Sequence, residues 1–135
     1  MPIANAAYNS LEESFKPIVW EILTRLEALG YQPYVCEGRR TVEQQREKVR
    51  KGYSKTMKSY HLTGNAADIV DKRYMWNIPL THQYWIDYGT IVKELQKENP
   101  TLRWGGDWNV PGRFEILKKK GKITWFSDCA HLEIR

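Results

Sequence analysis

The chain has no apolar run approaching the ~20 residues that cross a membrane as a helix, and it opens without the basic segment, apolar core and small-residue cleavage site of a secretory leader. The expectation is a soluble protein made in the cytoplasm, with no membrane partner. Cysteine is scarce. Cys36 and Cys129 are the only two, and without Cys-x-x-Cys spacing they exclude a cysteine-built zinc knuckle and a disulfide-stapled scaffold, so free buried thiols are expected. Internal repeats, low-complexity tracts and a linker rich in proline, glycine or serine are also missing. The 135 residues therefore read as one domain, 1–135, large enough to bury its own core and with no room for a separate binding module.

Acids are in the minority, 16 against 21 Lys and Arg, for a formal charge of +5. That balance favours approach to anionic polymers. The densest basic run, Lys118-Lys119-Lys120-Gly121-Lys122, surrounds a glycine turn and has no interleaved aromatics. It reads as a solvated loop, and nucleic acid is not an expected partner.

Apolar residues at Ile18, Val19, Ile22, Leu23, Leu26 and Leu29 recur at helical spacing, with Pro17 suited to the first turn and Gly30 at the end. Ser10-Leu11-Glu12-Glu13 before it can cap a short helical turn, which predicts a broken helix pair. Tyr31–Cys36 reads as a strand. Thr41 caps a polar helix through Arg50, with Gly52 beyond its end, and Lys51–Lys58 is a basic loop. Ala66–Val70 reads as a buried strand. Thr81 caps a long helix to about Lys97, with Trp85, Tyr88, Ile91, Val92 and Leu95 on its apolar side and Asn99-Pro100 as its stop. Leu102–Trp104, Ile123–Phe126 and Ala130–Ile134 complete the strand candidates. The pattern predicts an α+β domain with a small, mainly antiparallel sheet and helices packed on it.

Histidine is rarer than any acid or base, with three in the chain. His61 and Asp68 fall within Ser59-Tyr60-His61-Leu62-Thr63-Gly64-Asn65-Ala66-Ala67-Asp68, and His131 within Asp128-Cys129-Ala130-His131-Leu132-Glu133. Two imidazoles, a carboxylate and a spare acid are what a hydrolytic zinc site needs. The Thr63-Gly64-Asn65 turn signal predicts two short extended arms that aim His61 and Asp68 into one pocket, with His131 closing it from a distant strand. Zn2+ is the expected cofactor. Asp71 competes with Asp68, but three positions along a strand it faces the other way, and it reads as a surface acid beside Lys72 and Arg73. His82 reads as a helix-start residue. Ser59 shares a face with His61 and is expected to support it by a hydrogen bond. Glu133 shares a face with His131 and is expected to orient a ligand or a substrate amine. In Trp104-Gly105-Gly106-Asp107-Trp108, flexible backbone beside flat apolar rings suggests that Trp104 walls a substrate cleft and that Trp108 packs in the core.

The ordered blocks Gly38-Arg39-Arg40-Thr41, Ser-x-His-x-x-Gly-x-Ala-x-Asp, Trp104–Trp108 and acid-x-x-His-x-Glu together resemble the zinc peptidases that cut peptidoglycan stems, from about residue 10 to the C-terminus. That group includes D-alanyl-D-alanine carboxypeptidases and dipeptidases and the phage L-alanyl-D-glutamate endopeptidases. The resemblance implies the hedgehog/D-alanyl-D-alanine peptidase-like zinc fold, with His61, Asp68 and His131 as ligands and Asp128 as the catalytic acid and base. It also implies that Arg40 stabilises the oxyanion or holds a substrate carboxylate, with Arg39 as the neighbouring alternative. An aspartate at position 128 is the form kept by the endopeptidase branch, where glutamate is common elsewhere. The expected activity is therefore that of an endolysin cutting L-alanyl-D-glutamate bonds, as a monomer that reaches the wall only after release from the cytoplasm. A D-alanyl-D-alanine carboxypeptidase or dipeptidase is the enzymatic alternative, and a non-catalytic zinc-containing domain is the other.

Overall fold

The computed structural model describes residues 1–107 and 128–135. The expected strand at Ile123–Phe126, the basic run Lys118–Lys122 and Trp108 lie outside the described residues.

The N-terminal helix pair forms, with different caps. Helix α1 spans Ala6–Asn9 and is capped by Asn5, whose side chain accepts from the Tyr8 amide. Ser10 ends this helix; the expectation had it starting one. Helix α2 spans Lys16–Ala28 with its proline in the first turn and buries Val19, Ile22, Leu23 and Leu26. Leu29, placed on that apolar stripe by periodicity, is the C-cap and 57% exposed. Gly30 follows in the left-handed region, φ 95°, and turns the chain out of the helix before the stripe continues. Strand β1 is Pro33–Glu37. Helix α3, Val42–Arg50, starts in a capping box in which the Thr41 hydroxyl accepts from the Gln44 amide while the Gln44 side chain accepts from the Thr41 amide.

Strand β2 is Ala66–Asp71, buried at every position. Helix α4 is Gln83–Leu95. It starts one residue later than expected because the side chain of His82, and not that of Thr81, accepts from the amide of Tyr84, at 3.0 Å. Strands β3, Leu102–Trp104, and β4, His131–Ile134, complete the sheet.

Among the described residues the sheet has four strands in the order β1-β2-β4-β3, antiparallel throughout. Alternation along β2 and β4 sorts the two faces. Ala67, Ile69 and Leu132 join Phe15, Ile22, Leu23, Leu26, Tyr84, Tyr88 and Trp104 in the core under α2 and α4. The buried tyrosines keep their hydroxyls bonded, Tyr84 to the carbonyl of Ile69 and Tyr88 to that of Ala130, each at 3.0 Å. The opposite face carries Asp68, His131 and Glu133. A register shift between Val35 and Glu37 leaves Cys36 as the extra residue and sets Glu37 opposite Asp68, a bulge that re-aims side chains next to the polar face.

Candidate metal centre

The centre is assembled from the middle of the sheet and one tight turn. Asp68 on β2 is paired directly with His131 on β4, which brings the carboxylate oxygen Oδ1 to 3.2 Å from Nδ1 of the imidazole. His61 arrives differently from the expected extended arm. Residues Tyr60–Thr63 form a 3-10 turn, because Ser59 caps it by accepting from the His61 amide at 3.2 Å and Gly64 closes it at φ 77°. A side chain at Gly64 would also strike Arg39 and the Glu12 amide. Ser59 thus supports His61 through its backbone, as a cap.

The hydrogen bonds around the two rings decide which atoms face the centre. His61 Nδ1 lies 2.7 Å from the Gly38 carbonyl, which fixes the proton there and leaves Nε2 as a lone-pair donor 3.5 Å from Asp68 Oδ2. His131 is held at Nε2 by Glu133 at 2.8 Å, and Arg135 Nε grips the other Glu133 oxygen at 2.9 Å. Its Nδ1 therefore faces Asp68. The rings stand edge to face with centroids 5.1 Å apart. One donor atom from each of His61, Asp68 and His131 lies within 4.8 Å of the other two.

Polar atoms buried this deeply are normally paired. Yet His61 Nε2 and Asp68 Oδ1 are buried without a hydrogen-bond partner. One imidazole nitrogen and one carboxylate oxygen left unsatisfied, converging with a second imidazole nitrogen, fit a metal ion with a further position open. The carboxylate beyond His131 is the support that zinc-binding imidazoles ordinarily have. Burial alone would raise the Asp68 carboxyl, but the close approach and charge of His131 and His61 hold it far below the usual range. Burial would lower His131, but the Asp68 carboxylate beside it and the bond to Glu133 outweigh that, so that it is pushed up to about 9.

Arg40 points inward and Arg39 outward, as alternation requires. Arg40 Nη1 donates to Gln45 Oε1 at 3.0 Å, Nη2 pairs with Glu37 and lies 3.7 Å from Asp68, and the Arg40 amide donates to the His61 carbonyl at 2.8 Å. Arg39 turns to the Ser10 carbonyl and Glu12. Asp128 starts the turn into β4, its carbonyl accepting from the His131 amide at 3.1 Å. Gly105 makes room for it, since a Cβ there would fall 2.0 Å from the Asp128 carbonyl oxygen. Asp128 as a residue is exposed. Partial burial of its carboxyl by the surrounding protein raises it above the ordinary value, Asp68 adds repulsion, and His131, His61 and Arg40 oppose. A proton-hungry carboxylate beside a metal site suits proton transfer.

Two expectations change. Trp104 is 2% exposed and donates from Nε1 to the Cys129 carbonyl at 2.6 Å, so it belongs to the core under the site and not to a cleft wall. A Cβ on Gly106 would strike its ring, which makes that glycine a packing requirement. Asp71 faces away from Asp68 as expected but is 1% exposed, clamped by Arg73 and by the Gln32 amide. The two cysteines are not joined in a disulfide, as expected, and the Cys36 thiol donates to the Asp68 carbonyl at 3.3 Å.

Sequence reasoning missed Gln45, the one buried residue of α3. Besides holding Arg40, it donates to the Ser54 hydroxyl and the Thr56 carbonyl, tying the basic loop to the arginine. A glutamine among Glu, Gln, Arg and Lys carries no periodic signal of its own. Glu37 was missed because a bulge, invisible in the residue pattern, turns it onto Arg40 and Lys48.

A family model for phage L-alanyl-D-glutamate peptidase matches residues 4–134. The L-alanyl-D-glutamate peptidase of Listeria phage A118 is 31% identical over 110 residues, covering 77% of this chain and 36% of that protein. This chain thus spans about a third of the Listeria phage relative. The L-alanyl-D-glutamate peptidase of Escherichia phage T5 is 28% identical over 128 residues, 88% of each chain. Among solved structures, the Serratia marcescens L-Ala D-Glu endopeptidase ChiX superposes with a TM-score of 0.63 at 23% identity, over 96% of this chain and 84% of that one, and it has the same fold.

Proposed function

Because this chain belongs to the phage L-alanyl-D-glutamate peptidase family, we propose that it is a zinc peptidase of the endolysin type, hydrolysing the L-alanyl-D-glutamate bond of peptidoglycan stem peptides. The observation that carries the reading is the pair of buried, unpartnered atoms His61 Nε2 and Asp68 Oδ1, which converge with His131 Nδ1. Bound by these three residues, zinc supplies Lewis acidity and lowers the pKa of a water towards ~7.

The side chains divide the remaining work. Asp128 takes the proton of the attacking water and returns it to the leaving amine, the transfer its raised carboxyl suits. Arg40, held by Glu37 and Gln45, stabilises charge developing on the carbonyl oxygen. Glu133 fixes the orientation of His131. The chain acts as a monomeric single domain, made in the cytoplasm and released to the wall, where its charge of +5 favours contact with anionic polymers.

The test is digestion of purified peptidoglycan by the zinc-loaded protein and by Asp128→Asn, with released ends identified by mass spectrometry. New D-glutamate amino termini, absent with the variant, are expected. Released D-alanine would make the protein a carboxypeptidase, and equal products from both proteins would remove Asp128 from the proton-transfer role.

A further inference from the structure

Much of the positive charge of the chain is concentrated in one described segment. Residues 46–60 hold six bases, Arg46, Lys48, Arg50, Lys51, Lys55 and Lys58, against one acid, Glu47. Outside this segment and the run Lys118–Lys122, acids outnumber bases. Arg50 and Lys51 turn to Glu47, and Lys48 turns to Glu37. That leaves Arg46 on α3 and Lys55 and Lys58 in the loop after it, all exposed and without an ion pair among the described residues.

The loop that carries Lys55 and Lys58 has a fixed shape. The Tyr53 and Ser54 amides both donate to the Lys48 carbonyl, at 2.9 and 3.2 Å, and the Lys58 amide donates to the Thr56 hydroxyl at 2.9 Å. Buried Gln45 donates to the Ser54 hydroxyl at 2.9 Å and to the Thr56 carbonyl at 2.7 Å, while its own side-chain oxygen holds Arg40. Arg40 in turn lies 3.7 Å from Asp68, and Ser59, which follows Lys58, caps the turn that carries His61. Through both links the loop is anchored beside the candidate centre. Aromatic surface lies among its cations. Tyr53 is 75% exposed, with Lys48 Nζ 5.5 Å from the centre of its ring, and Met57 and Tyr60 are exposed beside it in sequence.

A stem peptide in a wall is attached to a glycan and stands among other stems that carry carboxylates. Whatever surrounds the stem at the centre meets the surface next to that centre. Exposed cations attract carboxylates over about a Debye length, ~10 Å at 0.1 M salt, and a tyrosine face beside them offers flat apolar surface to sugar or peptide. We propose that the loop 51–58 is a docking surface for the carboxylate-bearing peptidoglycan around the stem being cut, with Lys55 and Lys58 as its cations. The inference rests on the peptidase reading above and adds a contact that an isolated stem peptide does not make. A phosphate-bearing wall polymer is the other source of negative charge, and the test separates it.

Binding is read by pelleting the zinc-loaded Asp128→Asn protein with purified sacculi of three kinds: freed of phosphate polymers, freed of them and amidated at the carboxylates, or with phosphate polymers retained. Adding Lys55→Glu and Lys58→Glu together is expected to weaken binding to the phosphate-free sacculi about tenfold, with the difference shrinking as salt is raised. Adding Lys72→Glu and Lys97→Glu, exposed lysines elsewhere whose reversal changes the net charge equally, should leave binding within about twofold. Amidated sacculi should no longer distinguish the loop variant from its parent. With Asp128 intact, the loop variant should cleave a soluble stem peptide with unchanged kcat/KM. Equal binding by the loop variant and its parent, or an equal loss in the two double variants, overturns the docking surface and leaves the peptidase reading standing. A loss confined to sacculi that retain phosphate polymers assigns the loop to those polymers and overturns the proposal. A matching loss on the soluble peptide places the lysines in the stem site itself and overturns it as well. If the protein with Asp128 intact does not cleave the soluble peptide, the peptidase reading fails and the identification of the partner falls with it.

Discussion

Asp68 and Asp71 sit three residues apart on β2, are 4% and 1% exposed, and are each surrounded by nitrogen, yet they are built for different ends. At Asp71 both oxygens are satisfied: Oδ1 accepts from the Arg73 amide and Nε, Oδ2 from Arg73 Nη2 and the Gln32 amide. At Asp68 the nearest nitrogens belong to His61 and His131, at 3.5 and 3.2 Å, and Oδ1 is left without a hydrogen bond. Burial is therefore no guide to role by itself. A buried acid whose partners close around it stabilises the fold, whereas one whose partners stop short marks the place where something else binds.

The sharpest way to break the comparison is to substitute both positions. Asp68→Asn should lose bound zinc, read by metal analysis of the purified protein, and with it at least a thousandfold of turnover. Asp71→Asn should keep the metal. Equal zinc content in the two variants would end the assignment of Asp68 as a ligand. Next in size comes Asp128, a third aspartate, exposed, that should matter to turnover without mattering to the metal. Asp128→Asn should lower kcat by about 10²–10⁴-fold with zinc content unchanged. A parallel loss of zinc would make it a ligand instead. Glu133 is the intermediate case, an acid with both oxygens taken, one by His131 and one by Arg135. Glu133→Gln should weaken zinc by about 10–100-fold in a competition titration with a chelator while preserving most turnover at saturating zinc. An unchanged affinity would reduce Glu133 to a contact of Arg135.

The difference between the two aspartates was half legible in the residues. Strand alternation put Asp71 on the face away from Asp68, and motif spacing gathered His61, Asp68 and His131. Both signals are local or periodic, and both survive folding. The burial of Asp71 was not legible, because it depends on Gln32 and Arg73 closing over the end of the strand. The support of Arg40 was not legible either, because it comes from a bulge that turns Glu37 and from the single inward position of α3. Trp104 misled for a related reason. An aromatic beside two glycines looks like an open wall until Gly106 is seen to be where the Trp104 ring packs and Gly105 where the Asp128 backbone passes. In each case the residue was visible in the sequence and its neighbour was not.

The smallest effect expected is at Asp71, and its pH dependence separates charge from shape. Burial pushes the Asp71 carboxyl up, but hydrogen bonds from Arg73 and the Gln32 amide and the charge of Arg73 outweigh it, so the group stays below its ordinary value. A folded value below the unfolded one of ~3.9 means that the carboxylate stabilises the fold fully above that pH and loses the contribution as pH falls through the folded value. Arg73 is 44% exposed, so solvent screens the pair and the cost of Asp71→Asn near neutrality should be about 1–2 kcal/mol. The gap between wild type and variant in urea midpoint should be full at pH 7 and should narrow as pH drops below about 4. If the gap stays constant down to pH 2, Asp71 contributes through the shape of its hydrogen bonds, and the contrast with Asp68 becomes one of geometry alone.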